Sequence, residues 1–103
     1  MIWKEMPVLT KTAREITQRG GVPVKMLLAE DGMKRLAVIV SHDPSGPNHS
    51  REFHASVSAS TGGVRCPPAM DDIRAVAGQL GLVNWETSLS KEGLVGHMWS
   101  PLA

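Results

Sequence analysis

The sequence predicts an α+β domain: a mainly antiparallel sheet of about five strands, one well-defined helix packed on one face, and a short N-terminal helix. Three observations carry this. Residues 53–60 (FHASVSAS) alternate strictly between apolar and polar side chains, the pattern of a half-buried strand. Asp31-Gly32 separates two apolar runs, the signature of a hairpin. Pro67-Pro68 opens a stretch in which Met70, Ile73, Val76, Ala77 and Leu80 recur at helical spacing.

Taken in order, residues 1–9 mix apolar and charged side chains without a period, and Trp3 is expected to pack onto the body. Thr12 to Glu15 matches a capping box, so a short helix is expected from there to about Arg19, stopped by Gly20-Gly21. Val24 to Ala29 and Leu36 to Val40 form the predicted hairpin. The run Leu36-Ala37-Val38-Ile39-Val40 is apolar on both faces, which predicts a central strand covered on both sides. Residues 41–51 carry two Pro and one Gly and read as a long loop. In the strand that follows, Phe53, Ala55, Val57 and Ala59 face one way and His54, Ser56, Ser58 and Ser60 the other.

Thr61-Gly62-Gly63 reads as a flexible break. The helix over about 68–80 has Asp71 and Asp72 in its first turn, where its dipole favours negative charge, and Gly81 as its stop. A second hairpin closes the chain, with Asn84 to Leu89 and Leu94 to Trp99 as strands and Pro101 as the end. Trp85 and Trp99 are expected to flank each other across it.

A chain of 103 residues is expected to form a single domain, residues 1–103. Eleven basic residues against ten acidic ones leave a net charge of +1, which gives no electrostatic footprint for nucleic acid. Lys11, Arg14 and Arg19 are interrupted by Glu15 and read as a solvated face. The single cysteine, Cys66, excludes an internal disulfide and suits a reduced cytoplasmic location. It precedes a helix, where a thiol is activated, but a small buried hydrophobe is the plainer expectation. No stretch has the length of a membrane span and no signal-peptide pattern opens the chain, so no membrane association is expected.

The residues that carry chemistry gather on the alternating strand and the last one. His54 and Ser56 form His-x-Ser, and His97 lies on the closing strand. Paired histidines with hydroxyls serve phosphoester hydrolysis, one imidazole as base and the other as acid. His97 is followed by Met98-Trp99, so the second motif lacks its hydroxyl. His42, Asp43, His49 and His54 contain zinc-ligand types, yet no pair has helical spacing and solvated loop histidines are the plainer reading; no metal and no cofactor is expected. Trp99 with His54, Ser56, Ser58 and His97 suits a protein-binding surface, since Trp is enriched where binding energy concentrates, but Trp85 and Trp99 as core residues is the plainer expectation in a chain with few aromatics.

Residues 52–102 resemble a family of small proteins frequent in phages and prophages. The likeness rests on His54-x-Ser56-x-Ser58, on Pro67-Pro68 before the helix, and on His97-x-Trp99 with the Pro101-Leu102 ending. This chain departs from the pattern at Pro68-Ala69-Met70-Asp71, which lacks a Trp, and at Ser100, where a basic residue is usual. The resemblance implies a phage or mobile-element setting and no particular activity. The sequence thus leads to a binding module, a non-enzymatic inhibitor or adaptor that contacts a host or defence protein in the cytoplasm. The alternatives are a small hydrolase using His54, Ser56 and His97, and a self-assembling protein, at its simplest a homodimer.

Overall fold

The computed structural model describes residues 1–42, 52–82, 85–90 and 93–101. The elements run β1 (Ile2–Met6), α1 (Thr10–Gln18), β2 (Val22–Asp31), β3 (Lys34–His42), β4 (Glu52–Thr61), β5 (Val64–Cys66), α2 (Met70–Leu80), β6 (Glu86–Ser90) and β7 (Gly93–Pro101). All pairings are antiparallel, in the order β1-β2-β3-β4-β7-β6, and β5 pairs with the far end of β4. The class is α+β, as the sequence predicts. Two short strands, β1 and β5, extend the expected set of about five to seven among the described residues. No helix among the described residues is long and apolar enough to cross a membrane.

The core lies between α2 and one face of the sheet. Leu36, Val38, Ile73 and Val76 are fully enclosed, and Ala55, Val57 and Ala59 of β4 are buried with them. Each fully buried Leu, Ile or Val contributes about 2 kcal/mol relative to leaving it exposed. The small Ala55 and Ala59 stand on the face that α2 covers, and Ala77 on the helix is 3% exposed. Trp3 packs against this core from the edge strand β1, which the sequence leaves without a period.

Several local expectations shift. The first helix starts at Thr10 rather than at a Thr12 cap, and no side chain caps it. Instead the carbonyl of Leu9 accepts the amide of Ala13 at 2.8 Å, so the turn closes one residue before the first Thr. Ile16 is its buried anchor, set close over Gly21. The first hairpin pairs Asp31 with Lys34, which makes Gly32-Met33 the connecting residues rather than Asp31-Gly32.

Thr61-Gly62-Gly63 is no loose break but part of a tight turn pairing Thr61 with Val64. Both glycines have positive φ, 60° and 81°, which side-chain-bearing residues adopt at a cost. The Gly62 amide donates to the Met33 carbonyl at 2.9 Å, so the two turns brace each other.

Helix α2 begins as expected within its Pro-led stretch and ends at Gly81 in the left-handed region, φ 70°. Its first turn is secured by Asp72. That carboxylate accepts the Ala69 amide at 2.8 Å and pairs with the Lys34 ammonium at 2.6 Å. Asp72 is a buried charge, yet both oxygens have donors, which makes burial tolerable. Lys34 opens β3, so this contact ties the helix start to the sheet.

Candidate functional site

The face of the sheet turned away from α2 is built by parity. On β4, Phe53, Ala55, Val57 and Ala59 share the core face, so His54, Ser56, Ser58 and Ser60 share the other. Register then extends each β4 position sideways. Ser56 lies in a row Met6, Met26, Ile39, Ser56, His97 across five strands. The next row runs Lys4, Leu28, Ala37, Ser58. On the other side, Ser41 opposes His54, and His54 opposes Trp99. At the turn end, Glu30, Arg35 and Ser60 form a further row.

The sheet register therefore brings His54, Ser56, Ser58, His97 and Trp99 to one face. Positions 97 and 99 are set there by backbone pairing. The surface grades from apolar near β2 to hydroxyl- and imidazole-bearing at β4. Leu28, Ala37 and Ile39 are half-buried, Ser56 is exposed, and His54, Ser58 and Ser60 are half-buried. This corrects the expectation that β3 is covered on both sides: its core face is closed, but Ala37 and Ile39 retain access to solvent.

The Ser58 hydroxyl donates to the Ala37 carbonyl at 3.4 Å, a long bond that holds it down on β3. Glu30 and Arg35 pair across strands at 2.6 Å, but both are more than 60% exposed, so the pair contributes little. Same-face neighbours along a strand stand about 6.6 Å apart, twice the rise per residue. His54 and Ser56 are thus spaced for a shared ligand rather than for a direct base–nucleophile bond.

The other sequence candidates do not converge on this face. His42 pairs with Phe53, and their rings meet at a centroid distance of 5.9 Å, so His42 stands on the opposite face from His54. Asp43 and His49 lie outside the described residues. Among the described residues no three His, Cys, Asp or Glu side chains are grouped to hold a metal ion. Cys66 is half-buried against the Ala29, Leu36 and Ala59 cluster, with its Sγ 3.7 Å from the Thr61 hydroxyl. Trp85 packs on the α2-covered core, whereas Trp99 is in register with Glu86 and His54. The two tryptophans therefore do not flank each other across the last hairpin.

Sequence reasoning missed the apolar half of this face. Leu28, Ala37 and Ile39 carry no mark that separates them from core residues, because β3 reads as apolar throughout. No protein-family model, curated protein or solved structure matches this chain.

Proposed function

We propose that this chain is a non-enzymatic binding module that contacts a partner protein with the sheet face opposite α2. The observation that carries the proposal is that face itself. It presents half-buried Leu28, Ala37 and Ile39 beside a polar row of His54, Ser56, Ser58 and Ser60. Apolar area contributes affinity when covered, and the hydroxyl and imidazole groups supply directional contacts. A standard interface takes about 800 Å² from each partner. That is about an eighth of the 6699 Å² surface of this protein. The resemblance of residues 52–102 to phage-associated proteins supports a host or defence protein as the partner, met in the host cytoplasm.

The register opposing Ser56 to His97 and His54 to Trp99 favours a second reading. Two histidine positions and a serine on one face can serve one phosphoester, with one imidazole as base and one as acid.

The experiment captures partners from host lysate on the tagged protein and measures the affinity of the purified partner for variants. Ser56→Arg places a long cation on the open face, and Gln79→Arg does the same on the exposed side of α2. The proposal expects Ser56→Arg to weaken binding at least tenfold and Gln79→Arg to leave it unchanged, both with wild-type melting. The reverse order would refute this face. Hydrolysis of a generic phosphoester by the pure protein, lost in His54→Ala, would move the function to the hydrolase reading. A partner-free protein that scatters light as a dimer would point to self-assembly.

A further inference from the structure

On the α2 side of the sheet, away from the His54 face, a cleft of about 140 Å³ opens beside the C-terminal end of α2. Buried Val40 and Ala55 form its floor, Phe53, Leu80 and Leu82 its walls, and Val24 and Lys25 its rim. Its size is close to that of the apolar cavity of roughly 150 Å³ that holds a benzene molecule in an engineered protein. The Phe53 ring is steadied by the tilted His42 ring at 5.9 Å.

Lys25 is the residue that gives the cleft a chemistry. It shares a strand face with Leu27 and Ala29 and pairs with Val40, so it stands on the apolar face that α2 covers. A register shift between Pro23 and Lys25 leaves Val24 out of the ladder, and Val24 is 47% exposed at the rim. Lys25 is half-buried and, among the described residues, forms no ion pair and no hydrogen bond. A lysine on such a face lays its stem along the apolar surface and keeps its ammonium in water, and Lys25 lines this cleft. The nearby C-terminus of α2 attracts a cation, but this attraction does not account for the apolar space behind it.

We propose that this cleft binds a small carboxylate with an apolar body, of the bulk of a short alkyl chain or a phenyl ring. The body lies between Phe53, Leu80 and Leu82, and the carboxylate meets the Lys25 ammonium. A charge-assisted contact of this kind at a wet rim is worth about a fivefold change in affinity.

The test titrates the nitrogen-15-labelled protein with hexanoate, and separately with 1-hexanol as its uncharged counterpart. Small ligands bind weakly, so both run to about 10 mM. Amide shifts are expected at Val24, Val40, Ala55, Leu80 and Leu82, with hexanoate binding about fivefold tighter than hexanol. Lys25→Met should remove that preference and Lys25→Arg should keep it. Ala55→Leu fills the floor and should abolish both ligands; should it fail to fold, the Lys25 pair decides the matter alone. Arg65→Gln, exposed on β5 at the far end of β4, should leave both affinities unchanged. No shifts at the cleft, or hexanoate affinity unchanged in Lys25→Met, would overturn the assignment.

Discussion

Replacing Asp72 tests how the helix is fastened to the sheet. Asp72→Ala removes the acceptor of the Ala69 amide, and losing such a cap costs about 1 kcal/mol. It also removes the partner of Lys34. A hydrogen bond between charged groups is worth more when buried, but the Lys34 side chain is 36% exposed and regains water, so about 1 kcal/mol is the discounted loss. The lost favourable interaction of a carboxylate with the first turn of α2 adds about 0.5 kcal/mol. The sum is about 2.5 kcal/mol, enough to lower the melting temperature by about 10–15 °C in a domain of this size.

Asp72→Asn keeps an oxygen for the Ala69 amide and should cost about half as much. The assay is urea unfolding followed by tryptophan fluorescence, since Trp3 and Trp85 both pack on the core. Combining Asp72→Asn with Lys34→Met should show a coupling of about 1 kcal/mol. The hydrogen bond that it donates to the Asp72 carboxylate holds the Lys34 ammonium above its ordinary value of 10.5. The stabilisation from this pair is therefore complete below pH 10.5 and fades as pH rises through the higher folded value. An Asp72→Ala protein within about 0.5 kcal/mol of wild type, or strictly additive single variants, would refute the reasoning.

Two further outcomes follow from the packing and the turns. Gly63→Ala meets no neighbouring atom, yet its φ of 81° makes it cost about 1 kcal/mol, whereas Gly78→Ala in α2, also in open space, should stabilise by about 0.5–1 kcal/mol; thermal melts of the two should move in opposite directions. Leu36→Ala empties a fully enclosed site and should cost about 3 kcal/mol, while Ile39→Ala on the half-exposed face should cost about half that, as read from urea midpoints at unchanged slope.

The parts of the fold that were legible are those where one face is wet and the other dry. Residues 53–60 alternate because α2 covers Ala55 and Val57, and Trp3 and Cys66 pack on the cluster that holds Ala59, while Ser56 stays in water. Helix α2 was legible for the same reason, with Ile73, Val76 and Ala77 inward and Arg74, Ala75 and Gly78 outward. β1 was not, because an edge strand has little to alternate against: Trp3 packs inward, but Ile2 is 83% exposed and Lys4 and Glu5 are both exposed. The Lys34–Asp72 contact joins residues far apart in sequence, so nothing local announces it. At the candidate face, sequence parity grouped His54, Ser56 and Ser58. Only the pairing of β4 with β7 adds positions 97 and 99, and only the position of α2 shows that Leu28, Ala37 and Ile39 lie on the other face, half-buried.

That last point bears on how a partner would approach. Sheet extension is the usual route to association for a protein with free strand edges, but β1 carries the exposed charges Lys4 and Glu5. A second β1 paired antiparallel about Lys4 would set two ammonium groups opposite each other, which is destabilising. The face offers the easier approach. Covering Leu28, Ala37 and Ile39 returns about 25 cal/mol for each Å² of apolar surface removed from water. That gain is indifferent to rotation in the plane of the sheet. Register must come from the directional groups beside it, the half-buried His54 and Ser58 and the exposed Ser56. Apolar substitutions on β2 and β3 should therefore lower affinity broadly, while substitutions on β4 should decide which partner is accepted.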